Sequence, residues 1–61
     1  MDDEVLSEKD QKKLLWIQKN SQNMDDVTTI ETIALGGTTN RLNLERLKVI
    51  ASKYPDSIID N

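Results

Sequence analysis

Neither cysteine nor histidine occurs in this 61-residue chain. Disulfides and Cys/His zinc sites, the usual staples of very small domains, are therefore ruled out. The side chains best suited to proton transfer near neutral pH and to thiolate attack are missing too. A chain this short forms one domain at most and buries only about 60% of its unfolded surface. Hydrophobic residues make up 36% of it, and at this size apolar burial and ordering entropy come out close to equal. Two solutions remain: well-packed helices, or association that adds buried area.

The apolar spacing predicts helices. Ser7 is a candidate N-cap, with Glu8 and Asp10 placing negative charge in the first turn, where it meets the helix dipole. A first helix is expected over residues 8–22, ended by Asn20-Ser21-Gln22-Asn23. Its block Leu14-Leu15-Trp16-Ile17 cannot all face one way. At about 100° per residue, Leu14, Leu15 and Ile17 share a broad face and Trp16 lies opposite. Trp16 is then either covered by another element or an exposed contact residue.

The clearest helix is the last, over residues 41–54. Leu44, Leu47, Ile50, Ala51 and Tyr54 form its stripe, Asn40 or Asn43 its cap, and Pro55 its stop. The middle segment, residues 24–35, reads as a helix capped by Asn23 or Asp25, with Met24, Val27, Ile30 and Ala34 as its stripe and Gly36 as C′. The run Val27-Thr28-Thr29-Ile30 favours a strand instead. The expected fold is thus all-α, a small three-helix domain. Its alternative is α+β, with a β-hairpin over residues 28–44 turning at Gly36-Gly37. Residues 1–61 form a single domain in either case, with residues 1–6 and 56–61 expected as loose ends. Ile58 and Ile59 in the tail are expected to fold back and finish the core.

Charge is unevenly spread. The net charge is −3, but residues 36–55 carry Arg41, Arg46, Lys48 and Lys53 against Glu45 alone. The acidic start, Met1-Asp2-Asp3-Glu4, is the opposite of a secretory n-region, and no apolar run exceeds the four residues Leu14–Ile17. A transmembrane span is not expected. Cysteine-free composition fits a cytoplasmic protein, and Met1 fits a complete small gene product.

No catalytic constellation emerges. Asp25-Asp26 read as helix-start acids rather than an acid/base pair. Their spacing does not match a calcium loop, and nothing C-terminal offers a bidentate Glu. Gly36-Gly37-Thr38-Thr39 lacks the lysine of a phosphate-binding loop. No catalytic residue, cofactor or metal site is expected.

Segment 24–35, a turn at Gly36–Asn40 and the basic helix 41–54 outline a helix-turn-helix, and Ile33-Ala34 followed by glycine faintly resembles that motif's first helix and turn. The usual turn glycine comes four residues after the alanine, whereas here glycines follow at two and three. With Leu47 inward, Arg46 and Lys53 fall on one flank of the last helix, Arg41 and Lys48 on the other. Glu45, Val49 and Ser52 point outward. Split basic flanks look like stems framing an apolar face, not a recognition surface.

The expected function is therefore that of a small acidic, non-enzymatic regulator that binds another protein, as inhibitor, anti-activator or adaptor. A homodimer is a further possibility, because segregated charge can also make the chain self-associate. The candidate partner-binding residues are Leu15, Trp16 and Lys19 on the first helix and Arg46, Val49 and Lys53 on the last. The alternative is a helix-turn-helix-like DNA-binding regulator using helix 41–54.

Overall fold

The structure is a computed structural model that describes residues 3–59. Three helices carry it: α1 (Glu8–Asn20), α2 (Met24–Thr32) and α3 (Arg41–Ser52). Two three-residue strands, β1 (Asp3–Val5) and β2 (Thr38–Asn40), pair antiparallel, with Asp3 opposite Asn40 and Val5 opposite Thr38. A single 3₁₀ turn, Asp56–Ile58, follows α3. The architecture is mostly helical with a small ribbon.

Each helix starts where a short polar side chain accepts from the orphan amides of the first turn. Ser7 Oγ accepts from Asp10 N at 3.2 Å. Asn23 Oδ1 accepts from Asp25 N and Asp26 N, at 3.1 and 3.3 Å. Asn40 Oδ1 accepts from Asn43 N at 2.9 Å. Ser21 closes α1, with its amide on the Ile17 carbonyl.

The hairpin over residues 28–44 does not form. Residues 28–32 are helical, and β2 pairs with the N-terminal strand instead. The β-branched run is tolerated in α2 for two reasons. Val27 and Ile30 are buried, and tertiary burial outweighs a weak propensity. Thr29 and Thr32 donate their hydroxyls back to the carbonyls of Asp25 and Thr28. The helix also ends at Thr32, earlier than the expected residue 35. Ile33 leaves helical geometry and turns inward, so the buried stripe is Val27-Ile30-Ile33, while Met24 and Ala34 are exposed. Gly36 is too far along to be the C′ residue. It serves the loop instead, at a φ of +78° that favours glycine.

Leu14, Ile17, Ile30 and Leu47 lie at the centre of the core, fully buried. Leu6, Ile33, Leu44, Ile50 and Ala51 surround them. Each buried leucine or isoleucine contributes about 1.5–3 kcal/mol of burial. The ends are more ordered than their composition implies. Asp3–Val5 form a strand, Leu6 is buried, and the 3₁₀ turn packs on α1. Ile58 and Ile59 are half-buried but do not join the core cluster, whose partly buried neighbours are Trp16, Leu35 and Tyr54. Residues 1–2 and 60–61 of those ends lie outside the described residues. No described helix is long and apolar enough to cross a membrane.

Candidate functional site

Two regions concentrate the chemistry that the fold leaves over. The first is a polar junction at the C-terminal end of α3. Lys13 is its centre. Its stem lies on the core side of α1 and its side chain is 8% exposed. Its ammonium donates to the carbonyls of Ala51 (3.3 Å) and Tyr54 (2.9 Å) and pairs with Asp56 at 2.6 Å. A cation there supplies a donor to the Tyr54 carbonyl and a second donor, beside Tyr54 N, to the Ala51 carbonyl, at the negative end of the helix dipole. Lys9 reaches the same carboxylate at 2.7 Å. Hydrogen bonds from Lys13 and Lys9 hold the Asp56 carboxyl down at about 2, against an ordinary 3.8.

On the other side of the junction, the Tyr54 hydroxyl lies 2.8 Å from Ser21 Oγ and 3.3 Å from Asp26 Oδ2. The buried Asp26 also accepts from Lys53 Nζ at 3.3 Å. Among the described residues, no buried side-chain nitrogen or oxygen lacks a partner. Every polar group of the junction is thus engaged in holding α1, α2 and the end of α3 together.

The second region is an open groove of about 430 Å³ between α2 and α3. Leu42, Val49 and Ile50 give it an apolar wall from α3, and Thr29 faces them from α2. Asp25, Asp26, Glu45 and Arg46 supply its charges. Leu42 is 60% exposed and Val49 57%. Together with Glu45 and Arg46 they follow i, i+3, i+4, i+7 along α3, so the four share one face. The buried Leu44, Leu47 and Ala51 occupy the opposite side.

Of the six expected contact residues, Arg46 and Val49 come together in this groove. Lys53 sits just past α3, on Asp26. Leu15 and Lys19 are exposed on α1 and do not line the groove. Leu15 borders a separate depression with Glu8, Gln11 and Lys12. Trp16 is half-buried, packed on the core with its ring centroid 6.4 Å from that of Tyr54 and the planes tilted by 59°. The expected phase of α1 is therefore corrected: Leu15 faces out and Trp16 partly in, because Lys13 rather than Leu15 takes the core-facing position beside Leu14 and Ile17.

Leu42 was not among the expected contact residues. Its signal was its spacing of seven from Val49, the repeat that returns a helix to the same face. Among the described residues, no group of three or more acidic side chains is placed to hold a metal ion. Compared with known proteins, the chain matches no family model, no curated protein and no solved structure, so any functional reading rests on the two regions above.

Proposed function

We propose that this chain is a non-enzymatic binding module that acts by seating another polypeptide in the α2–α3 groove, in the manner of an inhibitor, anti-activator or adaptor. The observation that carries the proposal is the exposed Leu42–Val49 pair, two large aliphatic side chains on one helix face beside an open groove. Apolar side chains grouped on a surface and rimmed by charge mark an interaction site more often than scattered ones do. The groups with catalytic potential support the same reading. Lys13, Tyr54, Ser21 and Asp26 are bonded to one another or to backbone, which leaves no nucleophile and base poised together over the groove.

The DNA-binding reading draws less support. Residues 33–40 separate α2 from α3 and include β2, whereas a helix-turn-helix joins its helices by about 3–4 residues. Asp25 and Glu45 also stand beside Arg46 in the groove, where they would repel phosphate.

A photo-crosslinking residue at position 42, expressed in the native host, tests the proposal. A crosslinked polypeptide that disappears when Val49→Asp is added supports it. Absence of any crosslinked polypeptide overturns it.

A further inference from the structure

We propose that the occupant of the groove-side face of α3 is a second copy of this chain, its α3 packed antiparallel on the first. The inference rests on the binding reading above and names the partner for that same face.

The argument comes from the order of four residues. Leu42 stands three positions before Glu45, and Val49 stands three positions after Arg46. All four are exposed on one side of α3. A two-fold axis passing between Glu45 and Arg46 therefore brings Leu42 of one copy against Val49 of the other. It brings Glu45 against Arg46, and repeats both pairings in reverse. An isologous interface demands this self-complementarity of a single patch. Apolar groups meet apolar groups, and each charge meets its opposite.

Charge also selects the direction. A parallel pair in the same register would set Glu45 against Glu45 and Arg46 against Arg46, and like charges so placed are repulsive. Antiparallel packing turns the same residues into two reciprocal ion pairs. Among the described residues, neither Glu45 nor Arg46 makes a side-chain hydrogen bond or an ion pair within its own chain, so both charges are available to a partner. The small core supplies a motive for association. Four more aliphatic side chains leave water per dimer, in a chain whose length leaves apolar burial little ahead of ordering entropy.

The test is sedimentation of the purified full-length chain over a concentration series, with circular dichroism to confirm helix content. The wild type is expected to pass from monomer to dimer. Leu42→Asp and Val49→Asp are expected to weaken the dimer by about ten-fold or more, because each buries an unpaired charge. Charge variants test the register itself. Glu45→Arg alone faces arginines with arginines, and Arg46→Glu alone faces glutamates with glutamates. Each should sediment as a monomer, and an equimolar mixture of the two should form a heterodimer. The double variant E45R/R46E restores the pairing within one chain and should dimerise again.

A wild-type monomer at about 1 mM, where even a dimer with Kd of ~1 mM would be visible, overturns the inference. So does failure of the two charge variants to associate when mixed. If the purified chain is monomeric while position 42 still crosslinks to a different protein in the host, the second-copy inference falls and the binding reading stands. If neither association nor crosslinking occurs, both fall.

Discussion

The two ends of the α3 surface are built on opposite principles. At its C-terminal end, the buried Lys13 and Asp26 and the half-buried Tyr54 are all partnered: Lys13 on two carbonyls and Asp56, Tyr54 on Ser21 and Asp26. Along its groove-side face, apolar groups are exposed, and the neighbouring charges of Glu45 and Arg46 have no partner among the described residues. A buried polar group without a partner is costly, so the first arrangement is what a fold requires of its interior. An exposed aliphatic pair contributes little to the fold, so the second is open to use by something outside the chain. Stability and interaction are thus expected to separate cleanly by position.

The largest effect should come from Lys13→Ala. It removes the charged donor of the Tyr54 carbonyl, the second donor of the Ala51 carbonyl and the ion pair with Asp56, and a loss of about 2–3 kcal/mol is expected in denaturant unfolding. If Lys13→Ala were neutral, the junction would not be holding the end of α3. Tyr54→Phe removes the hydroxyl shared with Ser21 and Asp26 and should cost about 1–1.5 kcal/mol by the same measurement. Asn23→Ala, which uncaps α2, should cost about 1 kcal/mol.

The pH dependence of Asp56 is smaller again, because the carboxylate stands about half in solvent, at 55% side-chain exposure. Its folded-state pKa lies below the unfolded value. The unfolded chain therefore binds more protons over that interval, and the contribution to stability grows as pH rises through it. That contribution is complete above pH 3.8 and is lost as pH falls towards about 2. Asp56→Asn should flatten this part of the stability–pH curve relative to the wild type. Smallest of all, Leu42→Ala and Val49→Ala should leave monomer stability within about 0.5 kcal/mol, measured at low concentration so that association does not enter. A larger change at either position would mean that the groove face belongs to the core and would erase the contrast.

The helices were legible because their signals are local. Ser7, Asn23 and Asn40 each stand where the chain must cap a helix, and Leu44, Leu47, Ile50 and Ala51 repeat at the helical period. Long-range determinants left no such trace. Three-residue strands are too short to show alternation, and β1 and β2 are separated in sequence by the whole of α1 and α2. The β-branched run in α2 pulled towards a hairpin because propensity is read locally, whereas the helix is held by where Val27 and Ile30 are buried. Lys13 is the instructive case. Lysine reads as a surface residue, yet its stem packs inward and its ammonium finds carbonyls that only the folded chain places there. That single inward lysine rotates the apparent face of α1, sending Leu15 outward and bringing Trp16 onto Tyr54. Two of the groove's eight lining residues were visible as contact residues, Arg46 and Val49. Leu42 was hidden because, without the backbone, its spacing from Leu44 equally suited a strand.

The ribbon ties the start of the chain to the residue that caps α3, across the exposed Gly36-Gly37 loop. A protease nick in that loop would cut the backbone without cutting this clasp. The released pieces, one ending near Gly36 and one starting near Gly37, would still share a ribbon and a core. They are expected to co-migrate on a native column and to part only in denaturant, which makes the molecule a natural candidate for reassembly from two separately expressed halves.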